Sequence, residues 1–130
     1  MKVYIAGPYT PVDGKEETRL ENIRLASETG KLLLRLGHTP FCPHTMTAGW
    51  EDECAYEDFL RMDLEWLRVC DAIVLLPGWQ TSRGSQMEYE EARRQGLVIW
   101  DVQRETEGSA EVNRLLMQAA RLAGGKQACN

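Results

Sequence analysis

Ala72-Ile73-Val74-Leu75-Leu76 is an unbroken apolar run, followed directly by a Gly-bearing loop and a helical pattern that ends at Gly96. A buried strand, a short loop and a helix N-terminus in that order commit the segment to one unit of an α/β protein. The rest of the chain repeats the alternation. Lys2–Ala6 reads as a first, central strand stopped by Gly7-Pro8. A helix is predicted from about Glu16 to Leu36, with Leu20, Ile23, Ala26, Leu33 and Leu34 on one side and Gly37 closing it. Thr39–Cys42 is a short strand that Pro40 assigns toward an edge. After an irregular Pro43–Glu53, a helix is predicted over about Ala55–Val69. Next come the strand Ala72–Leu76, a helix ending near Gln95 and a fourth strand, Leu97–Trp100. Ser109 is placed to cap a last helix carrying Val112, Leu115, Leu116, Ala119 and Leu122. The expected fold is one α/β domain over residues 1–123 with a tail over 124–130. Its sheet is doubly wound and mostly parallel, of four to five strands, in a flavodoxin- or Rossmann-like three-layer sandwich. The loops after the first and third strands, Gly7–Gly14 and Pro77–Gly84, then fall together at the carboxyl ends, where such sheets bind ligands.

The formal charge of −5 over 130 residues argues against a nucleic-acid backbone as partner, since that role needs clustered Lys and Arg. A small molecule fits better, phosphorylated or not, because backbone amides bind phosphate without net positive charge. The four cysteines, Cys42, Cys54, Cys70 and Cys129, show no CxxC pairing and no metal-like spacing to His38 or His44. No metal is expected, and neither histidine is taken as a ligand. No stretch approaches the roughly 20 apolar residues of a membrane span, and a cytoplasmic setting is expected.

Two carboxylates stand where a purely structural role is hard to assign. Asp63 lies four residues after Phe59 and four before Leu67, on or beside the buried stripe of its helix. It is either a boundary Asp paired to an Arg or a backbone amide, or an acid facing a cleft with a tuned pKa. Glu88 opens the helix behind the Gly-bearing loop. Ser85-Gln86-Met87-Glu88 matches a capping box, which would make Glu88 a cap; the other reading is a base or nucleophile toward whatever the loop holds. Around them, Gly7, Pro8 and Tyr9 end the first strand. Trp79 falls in the ligand-side loop and is either a lid over the core or a stacking platform for a flat base. Gly84 either supplies a turn or lets a ligand approach.

With these residues assembled, the chain resembles the nucleoside 2-deoxyribosyltransferase-like superfamily, which includes deoxynucleoside 5′-monophosphate N-glycosidases. Three matches carry the resemblance: Val3-Tyr4-Ile5-Ala6-Gly7-Pro8; Asp63-Leu64-Glu65-Trp66-Leu67 followed by Cys70-Asp71-Ala72-Ile73-Val74; and Ser82-x-Gly84-x-x-x-Glu88. The resemblance implies Glu88 as nucleophile, Asp63 as the acid assisting at the base and Tyr4 beside the reacting sugar. Ser82 and Gly84 would hold the sugar's 5′ end or its phosphate; Ser85, and from their loop positions Gly7, Pro8, Tyr9 and Trp79, are taken as further candidate substrate contacts. It implies cleavage or transfer at the N-glycosidic bond of a (deoxy)nucleoside or its 5′-monophosphate, without a cofactor. It also implies a homodimer or larger homo-oligomer whose neighbouring chain closes each site, through the loop around Ser109 or the tail ending at Asn130. A pocket of roughly 300 Å³ is expected to exceed what one such small chain can enclose. The monophosphate hydrolases follow the first glycine with Ser and then Arg, whereas this chain has Gly7-Pro8-Tyr9-Thr10. A 5′-phosphate requirement is therefore open, with Arg83 or Arg19 as substitutes. The alternative is a non-catalytic nucleotide-binding or sensing module on the same fold. A flavodoxin-like carrier fits less well, because no GxGxxG follows the first strand.

Overall fold

The computed structural model describes residues 1–11, 13–103 and 114. The last helix expected from Ser109 onward and the tail over 124–130 lie outside the described residues. Four strands form one sheet: β1 (Lys2–Ala6), β2 (Thr39–Phe41), β3 (Ala72–Leu75) and β4 (Val98–Asp101). All pairings are parallel and the order is β2-β1-β3-β4, with Tyr4 beside both Phe41 and Ile73, and Ile73 beside Ile99. β2 is the edge that Pro40 required, because a proline has no N–H for a second neighbour.

Helices α1 (Glu16–Arg35), α3 (Tyr56–Leu67) and α4 (Arg83–Gln95) connect the strands, and a short α2 (Pro43–Met46) follows β2. The period-2 alternation of the strands sorts the core into two layers. Val3, Ile5, Ala72 and Val74 pack with Ala26 and Leu33 of α1. Tyr4, Ala6, Ile73 and Leu75 pack on the other face with Leu67 of α3 and Ala92 of α4. Tyr4 is thereby assigned to the same layer as α3 and α4.

The buried stripe of α1 is Ala26, Thr29, Gly30 and Leu33, whereas Leu20 and Leu34 are exposed, contrary to expectation. Leu33 and Leu34 stand about 100° apart on a helix, so only one of them can face the sheet. α1 closes in a Schellman motif: the His38 N–H donates to the Leu33 carbonyl and the Gly37 N–H to the Leu34 carbonyl, both at 3.0 Å. Gly37 adopts φ +91°, a conformation that glycine alone adopts cheaply. The segment expected to be irregular after β2 contains α2, which begins with proline at the first helical turn.

The chain reverses its direction of sheet growth between β1 and β3. β2 is laid on one side of β1, and β3 and β4 on the other. The crevice of an open parallel sheet lies at that reversal, beyond the carboxyl ends of the two central strands. The two loops meet tightly there. A Cβ on Gly7 would lie 2.8 Å from Leu76 Cβ, so glycine is required for the β1 loop to pass the end of β3.

Candidate active site

A cavity of about 690 Å³ opens at this crevice. Its walls come from the β1–α1 loop, α2 and the segment after it, α3, and the start of α4. Its volume is well above the roughly 300 Å³ that a small ligand needs, and the cavity is open on one side rather than enclosed by this chain.

The start of α4 is set by its cap. Ser82 is the N-cap, and its Oγ accepts the Ser85 N–H at 3.3 Å. The capping box therefore does not begin at Ser85, and Glu88 sits in the second turn rather than the first. Glu88 is left with no capping task. It is buried at 7 % exposure and lines the cavity, with Oε1 about 4.0 Å from where a Gly84 Cβ would be. Gly84 has an ordinary helical backbone, and a Cβ there would make van der Waals contact with the Tyr56 hydroxyl at 3.4 Å and stand beside the Glu88 carboxyl.

Asp63 reaches the same cavity from α3, and its Oδ1 is buried without a hydrogen-bond partner. Neither of its bland alternatives, an arginine or a backbone amide, is found on that oxygen. Desolvation pushes its pKa up to about 7. Glu88 is pushed up to about 8, chiefly by desolvation and further by the Asp63 charge, with Tyr4 pulling the other way. The hydroxyl of Tyr4 is fully buried and approaches Glu88 closely enough for each to affect the other's titration, without the geometry of a full hydrogen bond. Its own pKa is raised well above the phenol value by burial, then by the charges of Glu88 and Asp63. Tyr4, Asp63 and Glu88 thus meet from β1, α3 and α4.

The remaining candidates divide. Gly7, Tyr9, Ser82, Gly84 and Ser85 line the cavity. Ser85 is 1 % exposed and its Oγ has no partner. Tyr9 donates its hydroxyl to Glu51 across the cavity rim, and burial with that bond raises its pKa to about 12. Trp79 does not line the cavity. Its ring packs on Tyr89 at 4.7 Å and its Nε1 donates to Asp101 at 3.2 Å, so it closes the core beside β4. Pro8 is not among the residues that line the cavity, and its carbonyl meets His44 Nε2 at 3.0 Å. Of the two candidate cations, Arg83 lines the cavity, with its guanidinium held over the Tyr56 ring at 5.8 Å. Arg19 is paired to Glu16 at 2.5 Å and lies over Tyr9.

Sequence reasoning missed His44, Glu51 and Tyr56. His44 carried a usable signal, since Pro43-His44 follows β2 directly and so falls at the ligand end of the sheet. Among the described residues no group of three or more His, Cys, Asp or Glu is arranged to hold a metal ion, and no helix is long and apolar enough to cross a membrane.

In fold the chain is similar to a 2-desoxiribosyltransferase from Leishmania mexicana. The match has a TM-score of 0.50 at 22 % identity and covers 77 % of this chain and 62 % of that one. The chain therefore spans less than two thirds of that protein's length, and at this identity the likeness speaks for the fold alone, a doubly wound α/β fold. No curated protein sequence matches it. Residues 1–101, which carry every strand among the described residues and the residues that line the cavity, match one family throughout, and the chain belongs to that family, described as a domain of unknown function (DUF4406).

Proposed function

We propose that the protein cleaves or transfers the N-glycosidic bond of a (deoxy)nucleoside or its 5′-monophosphate. One observation carries the reading: two carboxyl groups from different helices share one cavity, each held well above the usual carboxylate range. Breaking a C1′–N bond needs both an electron-pair donor for the sugar and a proton for the departing base. Glu88 is the nucleophile. Positive charge developing on the sugar favours its ionised form, which burial otherwise disfavours. A Glu88 oxygen bonds C1′ as the C1′–N pair leaves with the base, and Asp63 delivers its proton to the base nitrogen. Water or a second base then attacks C1′, returns a proton to Asp63 and releases Glu88 as carboxylate. Tyr4 steadies the Glu88 carboxylate. Ser85, the first amides of α4 and Arg83 anchor the 5′ group, and Arg83 there suits a single phosphate. The resemblance, rather than the cavity volume, supports a second copy over the cavity mouth.

The test is a chromatographic screen of nucleosides and 5′-monophosphates for free base, with and without an acceptor base. Base release that is abolished in Glu88→Gln supports the reading, and new nucleoside formed only with acceptor identifies a transferase. Ligand binding without base release from any substrate would instead make the protein a binding module.

A further inference from the structure

Glu51 is the cavity carboxylate that this mechanism does not use. It stands on the segment between α2 and α3 and lines the cavity, and unlike Glu88 it is exposed, so a ligand there can reach it. The Tyr9 hydroxyl, from the β1–α1 loop, donates to its Oε1. That bond, helped by the nearby amides of Glu51 and Gly49, holds the carboxyl below its usual pKa, and it is ionised at neutral pH. An ionised carboxylate has about four acceptor sites and no donor. Tyr9 takes one, which fixes the group and leaves acceptor capacity at the cavity wall. The charge is not cancelled. Arg19 lies over the Tyr9 ring but is already paired to Glu16, and Asp52 and Glu53 follow Glu51 in the chain. The start of α4 has the opposite sign, because Arg83 and the helix N-terminus stand there. Arg19 places the Tyr9–Glu51 corner beside the first turn of α1, and α1 and α4 cover opposite faces of the sheet.

We propose that Glu51 is a specificity residue whose carboxylate accepts a hydrogen bond from an amino group of the substrate's base. In a nucleoside the base and the 5′ carbon project from opposite ends of the sugar, at C1′ and C4′. With the 5′ group at α4 and C1′ at Glu88, the base is the part directed to the Tyr9–Glu51 corner. An amino group suits a carboxylate, whereas the ring N–H of thymine or uracil is flanked by two carbonyl oxygens that the charge repels. An exposed carboxylate is hydrated. A base without the donor strips that water and returns nothing, so it binds more weakly. The same charge disfavours a phosphate at this corner, so the ligand enters in one orientation. The inference rests on the nucleoside reading of the cavity.

The experiment is calorimetry on matched ligand pairs, in a Glu88→Gln background so that no ligand is consumed. Three pairs each lose one amino group: 2′-deoxyguanosine against 2′-deoxyinosine, and 2′-deoxyadenosine and 2′-deoxycytidine against their analogues with hydrogen in place of the amino group. A further pair, 2′-deoxyadenosine against 2′,3′-dideoxyadenosine, loses a sugar hydroxyl instead. At least one amino pair should differ about tenfold or more in Kd. Adding Glu51→Ala should bring that ratio to within about twofold and leave the sugar pair as it was. Glu51→Gln, which keeps an acceptor without the charge, should fall between, and it carries the comparison if Glu51→Ala does not fold. Tyr9→Phe frees the carboxylate without removing it and should lower the ratio less than Glu51→Ala. The proposal is overturned if no amino pair differs in the background protein. It is also overturned if the Glu51 variants weaken every ligand equally with the ratio intact, which would make Glu51 a strut for Tyr9. Binding of no nucleoside or nucleotide at all would instead end the functional reading, and this inference with it.

Discussion

Replacing Glu88 by glutamine should stabilise the protein while abolishing base release, and the gain should grow with pH. Glu88 is buried, and no cation counters its charge among the described residues. Its pKa rises from 4.5 to about 8, and each tenfold change is worth about 1.4 kcal/mol. Between those values the folded protein keeps the proton that the unfolded chain has released. The unfolded state therefore binds fewer protons, and stability falls as pH rises. From pH 5 to pH 8 this group alone should cost the wild type about 3 kcal/mol. Glutamine has nearly the same shape and does not ionise. Urea unfolding at pH 5, 6, 7 and 8 should show the two proteins nearly equal at pH 5, with the variant ahead by about 3 kcal/mol at pH 8. Asp63 titrates in both proteins, so the difference reports Glu88 together with its repulsion toward Asp63. A gap that does not change with pH, or a variant less stable at pH 8, would refute the argument that desolvation dominates this site. A residue that only capped α4 would give the opposite result, a loss of about 1 kcal/mol with activity intact.

Other substitutions separate chemistry from scaffold. Asp63→Asn should lower kcat by about 100-fold and remove the alkaline limb of the rate profile. That limb exists in wild type because Asp63, pushed up by desolvation, must be protonated to act as acid. Tyr4→Phe removes a buried hydroxyl that has no full hydrogen-bond partner, so the melting temperature should hold or rise while kcat falls. Gly7→Ala forces a methyl to within 2.8 Å of Leu76 Cβ and should cost about 1–3 kcal/mol in denaturant titrations, because both neighbours belong to the tightest part of the fold.

The strand–helix alternation was legible because its signals are local. Lys2–Ala6 and Ala72–Leu75 are short apolar runs bounded by breakers, and Gly37 and Gly96 follow the helices they end. Asp63 stood out for the same reason, as an acid on an apolar stripe. The sequence misled wherever an outcome depended on which partner a side chain finds in space. Ser85 and Ser82 are equally good caps on paper, and only the path of the preceding 3₁₀ turn, Trp79–Thr81, assigns the role to Ser82. Trp79 sits in the ligand-side loop by position, yet Tyr89 and Asp101 turn it into the core. His44 has no sequence neighbour that announces a role, and its contact with Pro8 spans 36 positions.

The two carboxyl groups hang from separate helices, and those helices share the core layer that holds buried Leu67 of α3 and Ala92 of α4. Their mutual repulsion is therefore adjustable from inside the protein, at positions that no ligand touches. A bulkier residue at Ala92 would wedge α3 and α4 apart, weaken the repulsion and let water nearer, moving both acidities toward ordinary values. The pH at which such a site works best is then a dial turned by core packing, and related chains could drift to new optima with every cavity residue unchanged.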